Sequence, residues 1–352
     1  MARLALLTGS TGAVAEAIAA ALGDSGYAVR HLPVGPGGAL EPGPEARGAE
    51  LVVHLGVRTP RDLDEALRAE VESAAALGAA RIAREVGARR LVHVSTASVY
   101  GRPRNLPCRE GELKAPRTAY ERIRWRAEQA SWAAFRRGAP LTVLRPTLLY
   151  GPTLRGGPVR ALALVSLFNQ RRRRVPIIRR GPVAHLCHLA DLARAVAHVA
   201  GHPDDRAVVG RAFNVGDDAP LPLAEHLAAA LTALGYEPGR VLPTAPRLTG
   251  ALLWLVRHVP DRTLLAPLNR RLGRAWSRVT VRPGPRGMLV PRVDREALHW
   301  MSADHYYDTS RLAALGWRPL HPVSTASMPE TIRALIASQV LPGTGGRALP
   351  AW

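Results

Sequence analysis

The sequence predicts an α/β fold: a Rossmann-type doubly wound parallel sheet with a smaller, mostly helical C-terminal substrate domain. Three observations predict it. Leu4–Leu7 is a short apolar run that passes through a glycine turn into an Ala-rich helix ending near Leu22, the strand–turn–helix context of a nucleotide-binding unit. Later apolar runs, Leu91–Val94 and Leu141–Arg145, lead straight into small or hydroxyl residues, as strands of an open α/β sheet do where ligands bind. Between them, Ala119–Trp125 has helical character and carries Tyr120 and Arg124 four residues apart, on one helix face.

In order along the chain, Thr8-Gly9-Ser10-Thr11-Gly12-Ala13-Val14-Ala15 follows the first strand. Gly9 allows a tight turn, Gly12 lets backbone approach a diphosphate at the helix N-terminus, and Ala15 permits close helix–strand packing. Tyr27–Leu32 is the second strand. An NAD site expects an acidic residue at its end to hold the adenosine ribose. Pro33 stands there, and the next carboxylate is Glu41. Pro33–Gly48 is Gly/Pro-rich and predicts a loop. Glu50–Gly56 follows too soon to leave room for an intervening strand with an acidic adenine-side segment, so the adenosine end of any such site is altered. With no acid to repel a 2′-phosphate and Arg30 or Arg58 as its candidate partner, NADP(H) is expected to bind at least as well as NAD(H), a slight lean to NADP.

Leu91-Val92-His93-Val94-Ser95-Thr96-Ala97-Ser98-Val99-Tyr100-Gly101 is a buried strand running into polar residues, with Ser95 and Thr96 at its C-terminal end. A cation held beside the Tyr120 hydroxyl stabilises the charge that develops as the phenol gives up its proton, which suits a general acid/base. A Tyr and an Arg at this spacing are more often a solvated helix face; the surrounding segments supply the weight.

The formal charge of +20 invites a nucleic-acid reading, but Lys114 is the single lysine, so all but one of the 48 cations are arginine. They are dispersed along an Ala-, Gly- and Pro-rich chain, and no nucleic-acid-binding motif accompanies them. Cys108 and Cys187 have no metal or redox spacing and fit a reduced cytoplasm. Met1-Ala2-Arg3 runs directly into the first strand without a signal peptide, and no apolar run reaches the roughly 18 residues of a membrane span. His185 and His188 flank Cys187, with no third ligand to make a metal site.

The expected boundaries are a dinucleotide-binding domain over residues 1–150, to which 183–216 return, a substrate domain over 151–182 and 217–340, and a loose tail over 341–352. In the second half, the basic run Asn169–Arg174 reads as a solvated surface before a diphosphate or carboxylate clamp. Leu248–Val259, with Leu264, Leu265 and Leu268, is strongly apolar; core packing is its first reading, and a hydrophobic pocket or membrane-surface contact its second.

Together these segments resemble the extended short-chain dehydrogenase/reductase (SDR) family, the NAD(P)-dependent epimerases, dehydratases and 3β-hydroxysteroid-dehydrogenase-like enzymes. Thr8–Ala15 is similar to the family's TGxxGxxG turn, Val53-His54-Leu55-Gly56 to its HLA strand end, Val94–Gly101 to its (S/T)xxxVYG segment and Leu144–Pro152 to its LRPxxxYGP strand. His188-Leu189-Ala190-Asp191-Leu192-Ala193 resembles its HVDDVA segment; Phe213–Gly216 and Leu315–Pro319 resemble two later landmarks. Tyr120 and Arg124 occupy the YxxxK positions.

The resemblance implies Tyr120 as general acid/base, Thr96 as hydrogen-bond donor to the reacting oxygen, and Arg124 in the place of the lysine that binds the nicotinamide ribose. It implies a cofactor site built from Gly9, Ser10, Thr11, Gly12, Ala13 and Val14, then Leu55, Gly56, Val57 and Arg58, and Ser95, Tyr120, Arg124, Pro146, Thr147 and Leu148. The implied function is an NAD(P)-dependent oxidoreductase or epimerase acting at a hydroxyl or carbonyl carbon. A redox-neutral cyclase, dehydratase or isomerase, or a non-catalytic binding protein, is the alternative. The expected partner is a small-molecule substrate, with a homodimer as an open further expectation. The apolar 248–268 segment leans toward a hydrophobic, polycyclic substrate. Arg124 departs from the family's lysine: it stays charged and its planar fork reaches two hydroxyls, but it cannot relay a proton as lysine can. If Arg124 substitutes for that lysine, Arg124→Lys keeps or raises activity.

Overall fold

A computed structural model describes residues 3–60, 63–156, 158–168, 174–242, 254–255, 259, 262–279 and 288–342. The basic run over 169–173, most of the 248–259 segment and the tail from 343 onward lie outside the described residues. The chain divides into two units, the first comprising 1–147, 187–216 and 307–320, the second 148–186, 217–306 and 321–352.

The first unit is built on strands β1 (Arg3–Thr8), β2 (Tyr27–Leu32), β3 (Ala49–His54), β4 (Arg90–Val94), β5 (Leu141–Pro146) and β6 (Arg211–Val215). All six are parallel, in the order β6-β5-β4-β3-β1-β2. β4 and β5 are buried at every position, which is why they read as continuous rather than alternating apolar runs. β2 is the edge strand, so among the described residues no strand with an acidic end lies beyond it.

Helices α1 (Ala13–Asp24), α2 (Glu65–Glu85), α3 (Ala119–Phe135) and α4 (Leu189–Gly201) flank the sheet. The strand order runs one way from β1 to β2 and the other way from β3 onward, which places α1 and α2 on opposite faces when the crossovers are right-handed. α1 packs with α4, and α2 with α3. α2 starts at Asp64, whose carboxylate accepts from the Ala66 amide at 2.9 Å. α3 starts with a capping box: Thr118 Oγ1 accepts from the Glu121 amide at 3.2 Å, and the Glu121 carboxylate accepts from the Thr118 amide at 3.0 Å. That box fixes where the helix begins, and therefore where Tyr120 sits within its first turn.

Residues 307–320 pack with this first unit, whereas the sequence reading groups them with 217–340. The reason lies in buried polar pairing: the Asn214 side-chain amide donates to the carbonyls of Cys108 and Asp308, both at 3.1 Å. Residues 148–150 and 183–186 conversely group with the second unit.

The second unit contains helices over Pro158–Phe168, Leu223–Ala233, Leu265–Val279 and Ser324–Ala337, with short strands between them. Its core gathers Val159, Leu162, Leu231, Ile332 and Leu335. Of the expected apolar segment, Trp254 is 62% exposed, Leu255 and Leu268 are also exposed, and Leu265 is buried. Core packing therefore does not hold for the described part of 248–259. Within this unit His185 Nε2 hydrogen-bonds the Asp217 carbonyl at 2.7 Å. In the first unit, His188 Nδ1 accepts from the Ala190 amide at 3.3 Å to cap α4. Among the described residues, no helix is long and apolar enough to cross a membrane.

Candidate active site

The C-terminal ends of β1, β3 and β4 lie in register, Thr8 beside His54 and His54 beside His93, and the sequence-predicted residues of the first unit gather around them. The glycine turn follows β1. Gly9 has φ +104° and no room for a side chain: a Cβ there would run into the Gly56 carbonyl oxygen. Ser10 locks onto the same oxygen through its amide at 2.6 Å and its hydroxyl at 3.1 Å. The turn after β1 is thereby stapled to the end of β3.

Gly12 differs. Its φ is +102°, which strains any residue with a β-carbon, yet an added Cβ meets nothing within 4 Å. It heads α1 with no side chain capping the helix. An uncapped helix N-terminus with open space above a positive-φ glycine fits a diphosphate group, which the amides of the first turn, Ala13 and Val14 among them, would hold. Ala15 is buried, as close helix–sheet packing requires.

Thr96 follows β4 and caps the 3-10 turn Ala97–Tyr100, its Oγ1 accepting from the Ser98 amide at 3.2 Å and lying 2.9 Å from Ser98 Oγ. α3 packs against that turn, bringing the helix of Tyr120 beside the turn of Thr96. Tyr120 is 40% exposed, and among the described residues its hydroxyl has no hydrogen-bond partner. Ser95 is committed elsewhere: its amide donates to the Leu144 carbonyl at 2.8 Å and its hydroxyl to Glu128 at 2.6 Å. Pro146 ends β5. Thr147 donates its amide to the Val215 carbonyl at 2.9 Å and keeps a buried hydroxyl without a partner among the described residues. Leu148 belongs to the second unit. Val57 is partly exposed and Arg58 exposed, as are Arg30 and Pro33.

Arg124 is buried at 6% exposure. Its Nη2 donates to the Val94 carbonyl at 2.5 Å, and its Nη1 to the Leu55 carbonyl at 3.4 Å and the Glu72 carboxylate at 3.3 Å. Its Nε has no partner among the described residues. Burial opposes the guanidinium charge, but Glu72 first and then Tyr120 hold it above its ordinary range. Arg124 thus brackets the ends of β3 and β4, with Tyr120 one turn away on the same face.

Three buried residues of this region were not expected from sequence. Glu72 of α2 is the carboxylate that pairs with Arg124. His54 and His93, fully buried, stack edge to face with ring centroids 5.3 Å apart. Burial pushes both below the ordinary imidazole range, His93 to about 3, with Arg124 adding to the effect. Spacing in strands alone could have put them on one face; their register could not be read from it.

With this geometry in place, comparison with known proteins identifies the class. The NAD dependent epimerase/dehydratase family matches residues 5–216, and the chain belongs to that family. The fold is that of extended short-chain dehydrogenases/reductases. UDP-galactose 4-epimerase is similar in structure at a TM-score of 0.63 and 17% identity, over 95% of this chain and 99% of that one. UDP-N-acetylglucosamine 4-epimerase from Bacillus cereus is similar at 0.63 and 15%, over 94% and 99%. RMD from Pseudomonas aeruginosa, complexed with NADPH, is similar at 0.62 and 17%, over 96% and 99%. No curated protein sequence matches the chain.

Proposed function

We propose that this chain is an NAD(P)-dependent oxidoreductase or epimerase acting at a hydroxyl or carbonyl carbon of a small metabolite. The observation that carries the reading is the grouping of an open positive-φ glycine at an uncapped helix N-terminus with Tyr120, Arg124 and Thr96, all in one unit. A bound nicotinamide dinucleotide supplies the hydride acceptor or donor.

The protein's own residues do the rest. The α1 N-terminus and the Gly12 backbone hold the diphosphate. Tyr120, exposed and with its hydroxyl unengaged, gives or takes the proton at the reacting oxygen. The Arg124 cation lies one turn away on the same helix face. Thr96 hydrogen-bonds the same oxygen. Pro146 and Thr147 lie at the end of β5, where backbone and the unpartnered Thr147 hydroxyl can meet the carboxamide edge.

A nucleotide sugar is the substrate class named for two of the similar structures. The exposed Trp254, Leu255 and Leu268 favour a hydrophobic, polycyclic substrate for this chain. Burying a fused-ring compound removes a few hundred Å² from water, several kcal/mol at about 25 cal/mol per Å². Thermal-shift screening decides between them: lipophilic ring compounds are expected to raise the melting temperature, and stabilisation by UDP- or dTDP-sugars alone would restore the nucleotide-sugar reading.

One observation favours a second reading, a redox-neutral enzyme on the same scaffold. Three of the Arg124 contacts point inward to protein oxygens, where the family's lysine is expected to face the ribose. Analysis of the small molecules released on denaturing the purified protein separates the two: nicotinamide dinucleotide supports the first, and turnover without any dinucleotide supports the second.

A further inference from the structure

Arginine at 124 carries a bulkier head group than lysine, and two residues meet it: Gly56 leaves it room and Glu72 pairs with it. At Gly56, φ is +74°, and a Cβ built there would coincide with Nη1 of Arg124 and crowd Cζ at 2.7 Å. The guanidinium occupies the volume a side chain at 56 would take. The same Cβ would lie 2.9 Å from Oε2 of Glu72, so the three groups meet at one point. Gly56 stands at the third position of the strand end that resembles the family's HLA, where alanine is the pattern. Glu72, 4% exposed on α2, supplies the only acidic oxygen within ion-pair distance of Arg124 among the described residues.

This point is connected to the dinucleotide turn. Arg124 and Glu72 meet at the Leu55–Gly56 segment, Gly56 offers its carbonyl to the amide and hydroxyl of Ser10, and Ser10 lies in the turn that leads to Gly12. We infer that Gly56 and Glu72 are a compensating set for arginine at 124, and that Glu72 is a positioning residue: by holding the Arg124 guanidinium against the ends of β3 and β4, it sets the Gly56 carbonyl on which the glycine turn is stapled. The effect on cofactor binding rests on the dinucleotide reading above; the mutual dependence of the three residues does not.

Chemistry separates arginine from lysine here. The planar fork reaches Val94, Leu55 and Glu72 at once, whereas an ammonium is a single point on a flexible stem. Arg124→Lys by itself therefore leaves a void beside Gly56 and gives up part of the bracket, contrary to the expectation from sequence that it keeps or raises activity. A methyl at 56 meets the positive φ and Glu72 Oε2 whichever cation stands at 124, but its clash with the guanidinium is relieved by the shorter lysine. The two substitutions must consequently be non-additive, as residues in direct contact are.

The experiment uses the full chain and four variants: Glu72→Gln, Arg124→Lys, Gly56→Ala and the double Gly56→Ala/Arg124→Lys. Apo-protein unfolding midpoints in urea and calorimetric Kd values for NADPH are measured for each. Glu72→Gln keeps the side-chain shape, and its apo circular dichroism should remain that of the parent while NADPH affinity falls about 10-fold. The double variant should be closer to the parent, in midpoint and in Kd, than the two single changes combined would give. Additive single effects in both measurements, or a Glu72→Gln variant that binds NADPH as the parent does, would overturn the inference. If the parent itself binds no dinucleotide, the cofactor reading fails, and additivity or coupling in the apo midpoints alone decides the compensating set.

Discussion

The Glu128 carboxylate lies 2.6 Å from Nη2 of Arg145 in a core where neither residue exceeds 2% exposure. Ser95 and the Trp132 indole N–H also donate to Glu128, at 2.6 and 3.1 Å, while Arg145 donates in addition to the Tyr100 hydroxyl at 2.7 Å. Burial opposes the charge on Glu128, but Arg145 holds its carboxyl below the ordinary range. Through Ser95 and Tyr100 this network links the turn of Thr96 to Arg145 of β5 and Glu128 of α3. Removing one partner of such a pair strands the other: Glu128→Gln is expected to cost about 3–5 kcal/mol, read as a lowered urea midpoint. A loss under about 1 kcal/mol would show that the pair does not anchor the sheet.

Tyr120 makes the opposite prediction. It is 40% exposed and its hydroxyl touches no partner among the described residues, so Tyr120→Phe should leave stability within about 0.5 kcal/mol of the parent. As the acid/base, it should lose roughly 10²- to 10⁴-fold in turnover. Unchanged turnover with a known substrate would remove Tyr120 from the chemistry.

The buried His54 and His93 make stability depend on pH. Both rings are neutral in the folded protein because burial, aided by Arg124, depresses them, His93 to about 3. In the unfolded chain a histidine titrates near ~6.5. Below that pH the unfolded state binds protons that the folded state does not. The stability contributed by the neutral rings is therefore complete above pH ~6.5 and is lost as pH falls toward 3, with a slope of up to about 1.4 kcal/mol per pH unit for each ring. Urea midpoints measured at pH 7.5, 5.5 and 4.5 should fall, and should fall less steeply in His93→Asn. Parallel slopes in the two proteins would contradict this.

Cofactor preference follows from the end of β2. The strand stops at Leu32, and Pro33 and Arg30 are exposed where an acid would hold an adenosine ribose. NADP(H) should bind at least as tightly as NAD(H), and Pro33→Asp should shift the preference toward NAD(H) by repelling a 2′-phosphate. Calorimetry showing a clear NAD(H) preference in the parent chain would count against it.

Much of the first unit was legible because its signals are local. A strand, a glycine turn and an Ala-rich helix occupy adjacent residues, and the second strand spans Tyr27–Leu32 as the sequence reading expects. Tyr120 and Arg124 announce themselves by spacing on one helix. Glu72 does not: on α2 it reads as one more acid on an alanine-rich helix, and only the packing of α2 against α3 turns it inward to Arg124. His54 and His93 become a pair only through the register of β3 against β4. The return of 307–320 to the first unit depends on Asn214 and its two carbonyl partners, a long-range contact that no periodicity encodes. The second half is less legible because its strongest sequence feature, the apolar 248–268 segment, does not announce its burial: Leu265 is buried at the start of a helix while Trp254 is exposed.

In the reading proposed above, the turn through Gly12 at the head of α1 binds a nicotinamide dinucleotide. Calorimetric titration of the purified chain with NADPH, beside a Gly12→Asp variant, tests it most directly. An aspartate there meets no protein atom but must adopt φ near +102° and set a carboxylate in the open space above the helix N-terminus, where it repels a diphosphate. One binding site per chain is expected in the parent, and its loss in Gly12→Asp. A parent chain that binds none of NAD⁺, NADH, NADP⁺ and NADPH, or a variant that binds as the parent does, would contradict it.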